Sequence, residues 1–294
     1  MNKYQIFTDS SSDLSKAQRK EYDIEYFRML ISVKGKEYHA DLDYEEYSNE
    51  QFYKWVGDLS NHCKTSLITV EEFITKMEPF LEKGIDILYI ATTRALSASV
   101  EVFNLAKEEL AEKYPDRKIV ALNSCLAGFT LGLLVLDMAK LQKEGKSIEE
   151  LLEYHKQEIK HYHLIGTVAS LTYLKAAGRV SGAAAFFGNL ISLKPIIAND
   201  KAGHNVVISK VNGSRKAWDK LVEIVKEYVS DDKVVYLGQG AAPETNEYIK
   251  NKLISEVGAK VIEYPVGPII GLSCGPGVIH LVFKGKEMPV PDGE

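Results

Sequence analysis

The chain has 294 residues, 45% hydrophobic and 26% charged, with a formal net charge of −5, enough for two domains of ~100–200 residues, each with a real core. The acidic balance argues against an unaided nucleic-acid or anionic-membrane footprint, because both need a concentrated basic surface. The cysteines Cys63, Cys125 and Cys274 lie far apart with no CxxC spacing; this argues against a disulfide framework or structural zinc and for a reducing, cytoplasmic setting.

"MNKYQIF" lacks the cationic and apolar regions of a secretory signal. The chain then alternates β-rich runs with helical stretches: "YQIFTD", "DILYIA" from Asp86 and "KIVAL" from Lys118. Apolar residues three and four apart predict helices over Val70–Glu82, Ser97–Lys113 and Ala127–Lys140. The last begins the longest apolar run, which Asp137 interrupts short of the ~20 residues that span a bilayer. Ser147 and Glu150 form a capping box that opens Ile148–Lys160. "EGKS" at Glu144 lacks the earlier glycine of a phosphate loop. This half, 1–160, predicts a mainly parallel sheet flanked by helices.

The second half, 161–288, is richer in strands. "LIGTVAS", "LKPIIAN", "NVVISKVN", "KVVYLG", "AKVIEYP" and "GVIHLVF" read as strands. "LTYLKAAG", "AAAFFGNLI", Arg215–Val229 and the stretch after Pro243 read as helices. The expectation is a second α/β domain with a mixed or largely antiparallel sheet, followed by a polar tail at 289–294.

The strands of the first half each end in a small, hydroxyl-rich passage: "TDSSSDL", "ATTRALSAS" and "NSCLAG". "HCKTSLITVEEF" adds Thr65 and Ser66 ahead of the helix near Val70. In an open parallel sheet such loops gather at the carboxyl ends of the strands, where ligands bind at a switch in strand order. Taken singly, each is an N-cap that satisfies orphan amides; together they suggest one crevice. "TDSSSDL" has the capacity of a nucleophile, a phosphate cradle, a cap or a carboxylate clamp.

Covalent chemistry finds little support. "LNSCLAG" offers Ser124 without the first glycine of a nucleophile elbow or a neighbouring histidine. Cys125 is a nucleophile candidate at a helix start, against the commoner buried structural cysteine. His161 and His163 in "HYH" lack further ligands at metal-site spacing. Anion holding by hydroxyls and helix amides remains. Arg179, just past Gly178, would add a forked donor for a carboxylate or phosphate, or would complement a helix C-terminus.

"GPIIGLSCGPGVIHLVF" from Gly267 places Gly-Pro pairs around a short polar bend that enters a strand, with Gly271, Gly275 and Gly277 permitting close approach. With "FTDSSSDL", "KTS", "TTRALSAS", "LNSCLAG" and "LTYLKAAGRVSGAAAFFGNLISLKPII", this passage resembles the DegV family of bacterial fatty-acid-binding proteins over nearly the whole chain. The resemblance implies a two-domain α/β fold holding a long-chain fatty acid between its domains. It implies a non-catalytic protein that presents the carboxylate to a separate fatty acid kinase for acyl phosphate formation, with transient membrane contact for lipid exchange and no other cofactor.

Residue by residue, Thr65 corresponds to the threonine of the family's "TSxP" loop. The carboxylate-binding serine falls on Thr92 or Thr93, and Arg179 matches the arginine of "GGRI". Ser273 stands where the family pattern "GxHxGPG" has histidine, and "TSLIT" lacks the family's proline. Ser10 or Ser11, Ser97 and Ser124 complete the expected headgroup region, with "TDSSSDL" read as helix cap and supporting scaffold. "SGAAAFFGNLISL", with Phe186 and Phe187, suits a tunnel wall or a packed core helix. Two rivals remain: an enzyme acting on a small acyl or phosphorylated substrate through Ser124 or Cys125, and a protein-interaction module with an empty crevice.

Overall fold

A computed structural model describes residues 3–180 and 193–293. The chain divides into two units: Met1–Glu46 with Lys64–Ile159 and Gly267–Ile269, and Tyr47–Cys63 with Lys160–Val266 and Ile270–Glu294. Neither is continuous in sequence. The tunnel-wall stretch 181–192 lies outside the described residues.

The first unit is built on β1 (Tyr4–Asp9), β2 (Glu25–Phe27), β6 (Asp86–Ala91) and β7 (Ile119–Asn123), in the order β2-β1-β6-β7 with every pairing parallel. Every residue of β1 and β6 is buried, as expected where helices cover both faces of a parallel sheet. Helices α1 (Lys16–Tyr22), α3 (Val70–Leu81), α4 (Ser99–Lys113), α5 (Phe129–Lys143) and α6 (Ile148–Glu158) surround it. An aromatic cluster fixes α3 and α4 to the sheet. Phe7 stacks on Phe27 at 4.7 Å, Phe27 meets Phe73 of α3 at 4.5 Å, and Tyr89 meets Phe103 of α4 at 5.1 Å. Offset and edge contacts of this kind add about 0.5–1.5 kcal/mol each beyond burial.

The sequence pattern did not reveal a second, three-stranded antiparallel sheet, β4-β3-β5, made of β3 (Leu30–Val33), β4 (Lys36–His39) and β5 (Lys64–Ser66). Lys34 and Gly35, both at positive φ, form the two-residue turn between β3 and β4.

The second unit carries a six-stranded mixed sheet. Its strands are β8 (Tyr162–Thr167), β9 (Leu193–Asn199), β10 (Asn205–Asn212), β11 (Val234–Gln239), β12 (Lys260–Pro265) and β13 (Ile279–Lys284), in the order β10-β9-β8-β13-β11-β12. Among the described residues of this sheet, only β11 and β12 pair parallel. Helices α8 (Ser214–Tyr228) and α9 (Pro243–Lys252) pack on one face, where their Leu221 and Ile249 join Ile165, Val235, Leu237, Leu281 and Phe283 in one core. This unit also holds α2 (Asn49–Gly57), α7 (Leu171–Ala177) and the helix α10 (Pro268–Cys274), whose first two residues belong to the first unit. The segment expected as a polar bend is thus helical. His161 lies in a 3-10 turn rather than on a strand with His163, and each ring bonds a backbone carbonyl, of Gly285 at 2.9 Å and Lys286 at 2.7 Å.

Candidate functional site

β1 is followed by β2 on one side, while β6 lies on its other side, so strand order switches between β1 and β6. The loops leaving their carboxyl ends meet there. Asp9, the last residue of β1, joins them. Its Oδ2 accepts from the Tyr89 hydroxyl (2.8 Å) and the Thr92 amide (3.0 Å). Its Oδ1 accepts from the Ser11 amide (2.9 Å) and the Ser11 hydroxyl. Four donors on one fully buried carboxylate fix both loops, since an unpaired buried acceptor costs about 1–3 kcal/mol.

The third loop joins through backbone. Thr93 N–H donates to Leu126 O (2.8 Å), Ser124 N–H to Ala91 O (3.2 Å) and Arg94 N–H to the Asn123 side chain (3.0 Å). The Thr92 hydroxyl reaches Leu126 O only at 3.4 Å, and the Thr93 hydroxyl accepts from the Ala95 amide at 3.2 Å. Both threonines are buried. Ser97 and Ser99 share a hydrogen bond of 2.8 Å.

Of the four hydroxyl-rich passages, only "HCKTSLITVEEF" caps a helix with a hydroxyl of its own, Thr69. Ser15, in a capping box with Gln18, opens α1, and Thr69 opens α3. Ala98 and Gly128 open α4 and α5 with no side-chain cap. The cap reading of "TDSSSDL" is therefore corrected: Ser10 accepts from the Met29 amide (2.8 Å), and Ser11 buttresses Asp9. Through Met29 the loop abuts β3, whose Ile31 pairs with Thr65 of β5. Thr65 is exposed there, as are Ser66 and Thr69, whereas Ser10, Ser11, Thr92, Thr93 and Ser124 are buried.

The second aspartate of "TDSSSDL" is Asp13. It sits at φ 55°, 6% exposed; its Oδ1 accepts from Gly267 N–H at 3.1 Å, and its Oδ2 has no partner. Burial pushes its carboxyl well above the usual range, the Gly267 amide opposes this, and Asp9 adds to it. Gly267 is 254 residues away in sequence, so no local signal announces the pair. Ser12 and Thr130 are also fully buried with unpartnered hydroxyl oxygens.

Ser124 bonds within its own turn, to Leu126 O (3.2 Å) and from Leu126 N–H (3.0 Å). His155 meets the Ser124 carbonyl at 3.0 Å rather than its hydroxyl. A nucleophile–base pair needs the imidazole on the hydroxyl, so this contact orients a loop and activates nothing. Cys125, half-buried at φ 56°, receives the Asn123 amide at 3.5 Å.

Arg179 and Ser273 belong to the second unit. Arg179 is exposed past the left-handed Gly178 that ends α7, and its guanidinium turns back onto Ala177 O at 2.6 Å, the carbonyl-capping geometry. Ser273 is half-buried near the end of α10. In α10 an added Cβ at Gly271 would come within 2.7 Å of the Tyr53 hydroxyl, and just past the helix one at Gly275 would come within 2.1 Å of the Tyr173 ring.

A parallel sheet covered by helices, with hydroxyl-rich loops at its switch point, and a second unit built on a mixed sheet define a two-unit α/β protein. The DegV family model matches residues 3–286, and the chain belongs to that family. A DegV domain-containing protein of Clostridium perfringens is 33% identical over 292 residues, 97% of this chain and 98% of its own length. A fatty acid (stearic acid)-binding protein from Eubacterium ventriosum superposes with a TM-score of 0.85 at 24% identity, covering 96% of this chain and 98% of its own. A fatty acid binding DegV family protein from Streptococcus agalactiae gives 0.85 at 23%, covering 97% and 100%. These structures establish the fold.

Proposed function

We propose that this protein binds a long-chain fatty acid without transforming it and presents the carboxylate to a separate fatty acid kinase. The observation that carries the reading is the switch point between β1 and β6, where Asp9 accepts from the Thr92 amide and so fixes the 92–93 turn. A carboxylate needs a few oriented donors, and a preformed turn supplies them without ordering cost. Thr92 or Thr93 and Thr65 are the headgroup contacts in this reading, with Ser10, Ser11, Ser97 and Ser124 shaping the loops; Arg179 and Ser273 are the candidates that the second unit holds. Similarity in fold to proteins described as fatty acid binding supports the class of ligand.

The acyl tail supplies the affinity. A dozen buried methylenes at ~0.8 kcal/mol each offer on the order of 10 kcal/mol before the costs of association. Lipid exchange proceeds by transient membrane contact. Among the described residues, no helix is long and apolar enough to cross a membrane.

Native and denaturing mass spectrometry of the purified protein tests the reading. A stoichiometric fatty acid released only on denaturation is expected, and Thr65→Val/Thr93→Val protein is expected to fold normally but bind at least tenfold more weakly, the equivalent of about one charge-assisted hydrogen bond. Protein that neither carries nor takes up fatty acid would remove the proposal.

A further inference from the structure

The second unit contains a cavity of about 80 Å³ that the fatty-acid reading does not use. It is lined by Thr167, Lys194, Ser214, Trp218, Thr245 and Gly277, among others. Two helices begin at it: Ser214 is the first residue of α8, and Thr245 is the third of α9. Neither helix start has a side-chain cap; Gly213 at φ 88° and Ala242 occupy the cap positions. The first amides of a helix have no acceptor inside it, and they concentrate positive potential at the helix end.

Helix ends alone do not make a site. Here a buried side chain points to a ligand as well. Thr167, the last residue of β8, is 4% exposed, and its hydroxyl oxygen has no hydrogen-bond partner. In β8 it lies two residues from Ile165, on the same face, and Ile165 packs under α8 and α9, so the Thr167 side chain faces the helices and lines the cavity. A buried hydroxyl without a partner is costly, and a ligand oxygen at this position would satisfy it. Lys194 of β9 brings an ammonium to the same wall, anchored on Ala169 O. The first turn of α8 has no acidic residue, and the one acidic residue in the first turn of α9, Glu244, is exposed.

We propose that this cavity is an anion site for a phosphate group, held by Thr167, Lys194, Ser214 and Thr245 together with the leading amides of α8. Three hydroxyls, one ammonium and helix amides approach from several sides, which suits a tetrahedral oxyanion with acceptors on every face better than a planar carboxylate. Room for a few water-sized groups admits one phosphate and excludes an acyl chain. The site is independent of the fatty-acid reading, since every residue in it belongs to the second unit.

Calorimetric titration with inorganic phosphate, in protein stripped of lipid and in protein as purified, tests it. Saturable binding is expected in both. Thr167→Val is expected to weaken it about tenfold, as loss of a hydrogen bond to a charged group does, and Thr167→Ser to restore it. Lys194→Gln is expected to weaken it further, with circular dichroism confirming the fold. A parallel titration with glycerol 3-phosphate identifies the source: tighter binding than phosphate marks a phosphomonoester ligand, and equal or weaker binding marks the free anion. No saturable phosphate binding, or binding that Thr167→Val leaves unchanged, overturns the proposal.

Discussion

Two aspartates four positions apart in "TDSSSDL" receive opposite treatment. Asp9 collects four donors, from Ser11, Tyr89 and Thr92, whereas Asp13 receives one amide and has an unpartnered Oδ2. Because burial raises the Asp13 carboxyl, the folded chain keeps a proton there that the unfolded chain loses above about pH 4. Its contribution to stability is thus fully present below that pH and falls as pH rises toward the folded value. Asp13→Asn preserves an acceptor for Gly267 and removes the titration. The variant is expected to gain stability over the parent as pH rises from 4 to 8, read as a widening difference in urea midpoint. A difference that stays constant with pH would show that Asp13 is ionised in the folded protein. The sequence shows both only as aspartates of one polar passage. It could not separate them, because Tyr89, Thr92 and Gly267, which decide the matter, are remote in the chain.

At the scale of elements, long periodic segments were legible and short paired ones were not. α3, α4, α5 and α6 begin within two residues of the positions that the apolar period implies. β3, β4 and β5 have three or four residues each, too few for alternation to declare itself. "GPIIGLSCGPG" read as a turn because glycine and proline punctuate chains, yet Pro268 opens a helix and Gly275, at φ 78°, follows its end. Proline at the start and glycine just past the end are helix boundaries as readily as turn residues. The most consequential close approach is in α5, where a Cβ at Gly132 would stand 2.3 Å from the Ser12 carbonyl oxygen and 3.1 Å from Leu14. Because backbone is the obstacle, Gly132→Ala must move the 12–14 segment. The expected cost is about 1–3 kcal/mol, and on the proposed function fatty acid affinity falls as the loop behind Asp9 shifts. Denaturant unfolding and lipid titration read the two effects separately, and an unchanged midpoint would mean that helix and loop part freely.

For the molecule as a whole, residues 47–63 group with the second unit although they precede most of the first in sequence, an exchange that no composition shift announces. The second unit also has its own pH response. Burial pushes His163 down to about 4, opposed only in part by its bond to Lys286 O, and burial alone pushes His280 down to about 4. His280 lies in register between Gly166 and Gly238, its ring over Gly166 and its Nδ1 unpartnered. Both rings stay neutral in the folded protein while the unfolded chain takes up protons below about pH 6.5. Their contribution is therefore present above that pH and lost as pH falls toward 4, by up to about 1.4 kcal/mol per pH unit for each ring. In the first unit His155 is shifted in the same direction, but the proton held by Asp13 works against it. Mild acid is thus expected to loosen the second unit first. Hydrogen exchange at pH 7 and pH 5, corrected for intrinsic rate, is expected to show β8 and β13 losing more protection than β1 and β6. His163→Gln/His280→Gln is expected to flatten that loss. Equal loss in both sheets, persisting in the double variant, would mean that these imidazoles do not carry the acid sensitivity.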